Sequence, residues 1–211
     1  DNICFKAYGG EVLAFLGENG AGKSTLLKVL NGDYQPTKGE YLLDGVQKHF
    51  SSPHEAIQEG ISVIYQERQI LLELSVAENI YLGRMPSKKF GIIDKAKANQ
   101  MAQKIIDDFG LPISPTTKVK DLSIAYQQMV EIMKAYSREN LNVICFDEPT
   151  ASLSDAEIDS LFEIIAKLKA QGKIIIYVSH RMKEIQQIAD KVAIFKDGHY
   201  VDTVITKEVP E

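Results

Sequence analysis

Residues 17–25 read GENGAGKST, a stretch that predicts a phosphate-binding loop. It fits the pattern G-x-x-x-x-G-K-[ST], with Gly17, Gly22, Lys23 and Ser24 at the fixed positions. Glycines let the backbone turn tightly enough for its N–H groups to face phosphate oxygens, and the helix that follows adds its positive end. We expect Lys23 to reach the β- and γ-phosphates of a nucleotide and the Ser24 hydroxyl to bind magnesium. The residues expected to bind the nucleotide are Gly17, Glu18, Asn19, Gly20, Ala21, Gly22, Lys23, Ser24 and Thr25.

The setting of this loop predicts an α/β fold with a mainly parallel sheet. Residues 12–16 read VLAFL, a buried-strand pattern, and 24–30 read as a helix, so the loop joins a strand to a helix as the motif requires. Apolar runs and helical patterns then alternate along much of the chain. Further strands are predicted at 61–65, 143–146, 174–178 and 192–195, with edge strands at 40–43 and 200–204, and further helices at 53–59, 155–170 and 181–189. Asp197-Gly198 is typical of a hairpin turn.

The middle of the chain has a different pattern. From about residue 74 to 140 the strand signals are absent, and helices are predicted at 76–82, 94–109 and 124–136. We therefore expect a single domain over 1–211, with a helical subdomain at about 74–140 inserted between the core segments 1–73 and 141–211. Asp1–Phe5 resembles a strand already underway, which indicates an N-terminally trimmed domain.

Composition narrows the class of protein. The chain has 211 residues, 45% of them apolar and 25% charged, as in ordinary globular proteins. Its formal net charge is −5, and no Lys/Arg run would follow a nucleic-acid backbone, so we expect no nucleic-acid partner. Cys4 and Cys145 lie in apolar stretches without metal-ligand spacing. No apolar run approaches the roughly 20 residues that span a bilayer, so a cytoplasmic or peripheral membrane location is expected.

Polar side chains follow three of the predicted strands. Asp147 and Glu148 end the strand VICF, where Asp147 is placed to hold magnesium opposite Ser24 and Glu148 to take a proton from water. His180 follows the strand IIIYV and would lie beside the γ-phosphate if that strand neighbours the first. Gln66 ends the strand 61–65, where an amide could ligate magnesium or position water.

Together these motifs resemble, in order, an ABC-transporter nucleotide-binding domain, with an ATP-binding core of the P-loop NTPase type. The resemblance covers essentially the whole chain. It implies that ATP and magnesium are bound, that Gln66 senses the nucleotide, that Glu148 is the general base and that His180 contacts the γ-phosphate and the attacking water. It also implies that the helical insertion meets a membrane permease. The matching stretches are GENGAGKST, Gln66, Leu122-Ser123, Phe146 to Thr150, Ala151 to Asp155, and Ser179-His180.

A narrower resemblance is to the first ATP-binding domain of bacterial monosaccharide importers of the ribose, galactose, xylose and arabinose type. In that family two such domains are fused, which implies a second ATP-binding domain C-terminal to this one, a transmembrane permease and an extracytoplasmic sugar-binding protein. The implied location is the inner face of the cell membrane. The stretches that carry it are VIYQE at 63–67, LSVAENIYLGR at 74–84, QQMVEI at 127–132 and YVSHRM at 177–182.

The chain departs from the family pattern in three respects. The resemblance implies that a signature segment caps the ATP of the opposite domain, so Ser123, Ala125 and Tyr126 are expected to act in trans. In this chain the segment reads Ile124-Ala125-Tyr126 after Ser123. Ala125 adds a methyl group where the family has glycine. Ser154 stands where many members carry aspartate. The aromatic residue that stacks on adenine would precede the chain, because Phe5 and Tyr8 lie too close to the loop.

The sequence therefore favours ATP hydrolysis that powers sugar import through a permease. Two other functions stay open: an ATP-binding regulatory half with weak hydrolysis, and an ABC ATPase of a non-sugar system.

Overall fold

The computed structural model describes residues 3–208, and a six-stranded sheet with a separate two-stranded sheet forms the β structure of this part. The strands are β1 Val12–Leu16, β2 Tyr41–Leu43, β3 Val46–Lys48, β4 Ile61–Ile64, β5 Val143–Asp147, β6 Ile174–Val178, β7 Lys191–Lys196 and β8 His199–Ile205. The helices are α1 Lys23–Leu30, α2 Pro53–Gln58, α3 Val76–Ile80, α4 Lys95–Phe109, α5 Ile124–Tyr136, α6 Asp155–Ala170 and α7 Met182–Ile188. Short 3₁₀ turns lie at Lys89–Gly91, Val119–Asp121 and Thr206–Glu208.

The large sheet has the strand order β4-β5-β6-β1-β7-β8. Its neighbours pair in parallel except for β7 and β8, which form an antiparallel hairpin. The small sheet is the antiparallel pair β2-β3. The predicted α/β class, with a mainly parallel sheet and an antiparallel edge, is confirmed.

Helices cover both faces of the large sheet. On one face Leu13 and Phe15 of β1 belong to a buried cluster that includes Leu27 of α1. On the other face Ala14 packs with Ile185 of α7. Successive residues of a strand point to opposite faces, so a parallel strand between two helical layers must be apolar throughout. This is why VLAFL and VICF read as continuous apolar runs rather than as an alternation.

The described residues form two compact units. The first comprises residues 3–66, Asn140–Ala151 and 165–208, and it contains both sheets. The second comprises Glu67–Glu139 and Ser152–Ile164. Within the second unit α3 packs against α4 and α5. A capping box opens α3, in which the Ser75 hydroxyl accepts the Glu78 N–H and the Glu78 carboxylate accepts the Ser75 N–H.

The hairpin turn is confirmed, the N-terminal strand is wrong for the described residues, and one short strand was not predicted. The Asp197-Gly198 turn joins β7 to β8 with φ of 50° and 79°, the left-handed pair that a two-residue hairpin needs. Residues 3–5 form no strand, while Asp1 and Asn2 lie outside the described residues. The apolar character there reflects packing, because the Phe5 ring meets Phe15 edge-on with centroids 5.2 Å apart. The polar strand β3 went unpredicted because VQK lacks any apolar alternation.

Gly60 makes the turn from α2 into β4, and we expect Gly60→Ala to destabilise the fold. Its φ is +86°, and an added Cβ would lie 2.2 Å from the Asn140 carbonyl oxygen. Backbone strain and overpacking together should cost about 2–4 kcal/mol in the free energy of unfolding. Urea denaturation measures the loss. Gly39→Ala is the control, since Gly39 also has positive φ but open space around it, and a loss as large there would contradict the steric explanation.

Candidate nucleotide-binding and catalytic site

The phosphate-binding loop runs from the end of β1 into α1. Gly22 stands immediately before the helix with φ 93° and ψ 4°, a left-handed conformation that glycine adopts without strain. The first residues of α1 are Lys23 and Ser24, so both side chains start at the helix N-terminus, where unpaired N–H groups and the helix dipole favour an anion. The loop and helix therefore have the geometry that phosphate binding needs.

Lys23 is folded back over the loop. Its Nζ donates to the carbonyl oxygens of Gly17 at 2.7 Å and Glu18 at 2.9 Å, and the residue is only 5% exposed. An ammonium group has three N–H donors, and these two carbonyls take two of them. The buried cation thus holds the loop in shape and supplies positive charge where phosphate oxygens would bind.

Ser24 and Asp147 meet at the C-terminal edge of the sheet. The Ser24 hydroxyl donates to Asp147 Oδ1 at 3.0 Å, although the two residues are 123 positions apart. Burial raises the pKa of the Asp147 carboxyl, an effect that the Ser24 hydrogen bond opposes and the nearby Glu148 charge reinforces. A buried carboxylate beside a hydroxyl is a set of hard oxygen donors, which fits Mg²⁺.

Glu148 and His180 also meet at this edge. β5 and β6 are neighbours, as the sequence prediction for His180 required, with Asp147 opposite Val178. His180 Nδ1 lies 3.2 Å from Glu148 Oε1, and the Glu148 N–H donates to the Val178 carbonyl at 3.0 Å. Glu148 has φ 47°, a conformation that is uncommon for a residue with a side chain and that clusters at functional sites. The two side chains predicted to act on water are therefore within hydrogen-bond reach of each other.

Gln66 lies at the same edge but is exposed. It follows β4 by two residues, and β4 pairs with β5 with Ile64 opposite Phe146. Within residues 3–208 no hydrogen bond joins its amide to Ser24 or Asp147. The structure thus joins Ser24 to Asp147 and Glu148 to His180, and within the described residues it joins Gln66 to none of them by a hydrogen bond.

The signature segment opens α5 in the second unit. Ser123 is the N-cap, its hydroxyl accepting the Tyr126 N–H at 3.4 Å, and it is exposed. Ala125 is only 4% exposed, whereas Ile124 is 44% exposed. The methyl group that replaces the family's glycine hydrogen therefore packs inward, and Ile124 is the apolar side chain that faces solvent beside Ser123.

The loop after β5 carries the substituted serine. Ser154 donates both its N–H and its hydroxyl to the Glu157 carboxylate, at 2.9 and 2.8 Å, at the start of α6.

Tyr8 is not the residue expected to stack on adenine. Its side chain is 54% exposed, and Lys191 Nζ lies 4.9 Å from the centroid of its ring.

Two networks beside the site were not predicted. The first joins the end of α1 to the residue before Gln66, because Asn31 and Tyr65 both donate to Asp33 Oδ2, at 2.9 and 2.5 Å. The second is centred on Glu184 of α7, which is 6% exposed and accepts four side-chain donors. The sequence gives no local signal for this network, because Glu184 stands between Lys183 and Ile185 on a predicted helix and Thr150 is 34 residues away.

No helix within residues 3–208 combines the length and the apolar character that crossing a bilayer requires.

Comparison with known proteins agrees with this geometry. The family of ABC transporters matches residues 1–151. The arabinose import ATP-binding protein AraG of Mannheimia succiniciproducens is 50% identical over 202 residues, which are 96% of this chain and 40% of that protein. AraG of Escherichia coli is 50% identical over the same shares. The chain thus spans about two fifths of the length of these curated relatives.

Solved structures with a similar fold are also ATP-binding cassettes of ABC transporters. A nucleotide-free ATP-binding cassette from an ABC transporter has a TM-score of 0.83 at 25% identity, over 95% of this chain and 83% of that one. The ADP conformation of another such cassette has a TM-score of 0.80 at 26% identity, over 93% and 81%. With a family match over most of its length and these likenesses of fold, the chain belongs to the ABC transporter family.

Proposed function

We propose that this domain binds ATP with magnesium and hydrolyses it. The observation that carries the proposal is the convergence of two pairs at one edge of the sheet: Ser24 with Asp147 at 3.0 Å, and Glu148 with His180 at 3.2 Å. Asp147, the last residue of β5, and Glu148, which follows it, each supply one member of a pair. A metal ligand and a base that are adjacent in the chain can act on the same triphosphate.

The loop residues 17–25 would bind the phosphates. Their backbone N–H groups and the N-terminus of α1 provide donors, and Lys23 provides a positive charge. Ser24 and Asp147 would hold magnesium, with Gln66 as a third oxygen donor. A bound magnesium ion would neutralise negative charge on the phosphate oxygens.

Glu148 is the proposed general base. As a water oxygen forms its bond to the γ-phosphorus, Glu148 takes the proton from that water, and the bond from phosphorus to the β,γ-bridging oxygen breaks with its electron pair leaving on ADP. The proton then passes from Glu148 to solvent, and the products are ADP and phosphate. His180, whose Nδ1 is hydrogen-bonded to Glu148, would orient that carboxylate and lie beside the γ-phosphate and the attacking water.

A second ATP-binding domain would complete the site. Ser123, Ala125 and Tyr126 would act in trans, with the exposed Ser123 hydroxyl and the N-terminus of α5 facing the γ-phosphate held by the partner domain. A closed pair of domains excludes water and strengthens these electrostatic contacts. Because the relatives are about two and a half times as long as this chain, a fused second domain fits their length.

The energy of hydrolysis is proposed to drive import of a monosaccharide of the arabinose class. The supporting observation is the identity to proteins named for arabinose import. The helical residues Glu67–Glu139 would meet the transmembrane permease, which would place the domain on the cytoplasmic face of the membrane. An extracytoplasmic sugar-binding protein would deliver the sugar.

Uptake of labelled sugar tests this proposal. Deleting the gene for the full-length protein should abolish uptake of radiolabelled arabinose, and the wild-type gene should restore it, whereas the Glu148→Gln gene should not. Xylose, ribose and galactose, measured in parallel, show whether arabinose is the sugar. Normal uptake of all four in the deletion strain would contradict the import function and favour a non-sugar system.

A regulatory half with weak hydrolysis is the second candidate, favoured by the altered signature segment. Because that segment serves the opposite site, the Glu148–His180 pair favours competence at the phosphates bound by this domain. Measuring ATPase activity with each of the two domains disabled separately distinguishes the candidates. ATPase activity that survives Glu148→Gln in this domain but is lost when the other domain is disabled would assign this domain the regulatory function.

A further inference from the structure

A buried carboxylate in α7 gathers hydrogen bonds from four side chains. Glu184 accepts the Thr150 hydroxyl at 2.8 and 2.9 Å, the Tyr177 hydroxyl at 3.0 Å and the Ser179 hydroxyl at 3.0 Å. The Arg181 guanidinium donates to the same carboxylate at 3.1 Å. Thr150, Ser179 and Arg181 lie in segments that leave the C-terminal edge of the sheet, and Tyr177 lies near the end of β6.

Two of these donors flank the proposed catalytic pair. Thr150 follows Glu148 by two residues, and Ser179 immediately precedes His180. The Ser179 hydroxyl also accepts the Arg181 N–H at 3.0 Å, so the backbone is held on both sides of His180. One carboxylate therefore connects the loop that carries the base to the loop that carries the histidine.

The chemistry of this centre requires an acceptor. A carboxylate only accepts hydrogen bonds and has about four lone-pair sites, which suits three hydroxyls and a guanidinium. An amide of the same shape would present an NH₂ group to one of these donors. Because Ser179 already accepts from Arg181, its hydroxyl has little freedom to reverse.

We propose that Glu184 is a positioning residue for ATP hydrolysis. It sets the separation of Glu148 and His180 by anchoring Thr150 and Ser179 to α7, and it acts on turnover rather than on nucleotide affinity. The phosphate-loop residues that would bind ATP have no hydrogen bond to Glu184 in the described part of the chain. The inference rests on the proposed ATPase activity.

The test is Glu184→Gln in the full-length protein. Because a misplacement of about 1 Å can cost on the order of 100-fold in rate, we expect kcat to fall about 10- to 100-fold. The KM for ATP and the affinity for a fluorescent ATP analogue should change less than about threefold, since the phosphate loop is untouched. Glu163→Gln, an exposed position of α6, is the matched control and should keep wild-type kcat.

Thr150→Val and Ser179→Ala each detach one loop from Glu184 and should lower kcat with the same sparing of affinity. When either is combined with Glu184→Gln, kcat should fall by less than the product of the two single decreases, because the effects of mutating residues in one hydrogen-bond network are not additive in free energy. These two variants carry the test if Glu184→Gln fails to fold, as its thermal melting would show.

Wild-type kcat in Glu184→Gln, or a fall in nucleotide affinity in proportion to kcat, would overturn the positioning function. Fully additive losses in the double variants would overturn it as well. The proposed ATPase activity fails separately, if the wild-type protein does not hydrolyse ATP or if Glu148→Gln leaves turnover unchanged.

Discussion

Glu148→Gln is expected to lower kcat for ATP hydrolysis by about 10²- to 10⁴-fold, the contribution of a positioned general base. The amide keeps the size of the side chain and can still hydrogen-bond His180, which lies 3.2 Å from the carboxylate, but it cannot take a proton from water. Binding should survive because the residues of the phosphate loop are unchanged. We therefore expect ATP to stay bound without turnover.

In the full-length protein, phosphate release measures the turnover, and retention of radiolabelled ATP measures the binding. Glu163→Gln removes one exposed negative charge elsewhere and should behave as wild type. Hydrolysis at the wild-type rate in Glu148→Gln would show that another group takes the proton. Loss of ATP binding together with activity would show that Glu148 supports the fold of the site rather than the chemistry.

Lys23→Met is the second large expected effect, and it should act on binding. Methionine keeps the apolar stem but removes the ammonium that donates to the Gly17 and Glu18 carbonyls. Hydrogen bonds to charged groups contribute about 1.5–3 kcal/mol, which corresponds to a loss of about 10- to 150-fold in ATP affinity. Isothermal titration with ATP and magnesium measures this loss.

Lys28→Met is the matched control on the same helix. Lys28 lies near the end of α1, with its Nζ 5.3 Å from the centroid of the Tyr34 ring, so it carries the same charge without touching the phosphate loop. Its affinity for ATP should change less than about threefold. Equal losses in both variants would mean that the net charge of the domain, rather than the position of Lys23, controls binding.

Periodicity and short-range motifs predicted most of the elements. The apolar runs at β1, β5 and β6 are found at or within one residue of the predicted bounds, because strands buried on both faces must be apolar at every position. The helices predicted at 76–82 and 94–109 are found as α3 and α4, and α4 ends at Gly110 in the left-handed conformation that glycine favours. The strand predicted for the first residues is absent at 3–5, because an apolar segment that packs against Phe15 has the same composition as a strand.

The proposed phosphate-binding residues follow from the chain alone, because GENGAGKST is a local motif in which backbone conformation, charge and helix start lie within nine residues. The pairing of β5 with β6 is different in kind: it is a contact between segments about thirty residues apart, and only the folded sheet brings Glu148 to His180. The same holds for Glu184, whose partners Thr150 and Ser179 come from two separate strand ends. Local backbone preferences act over a few residues, whereas the placement of a buried carboxylate depends on which donors the packed elements present to it.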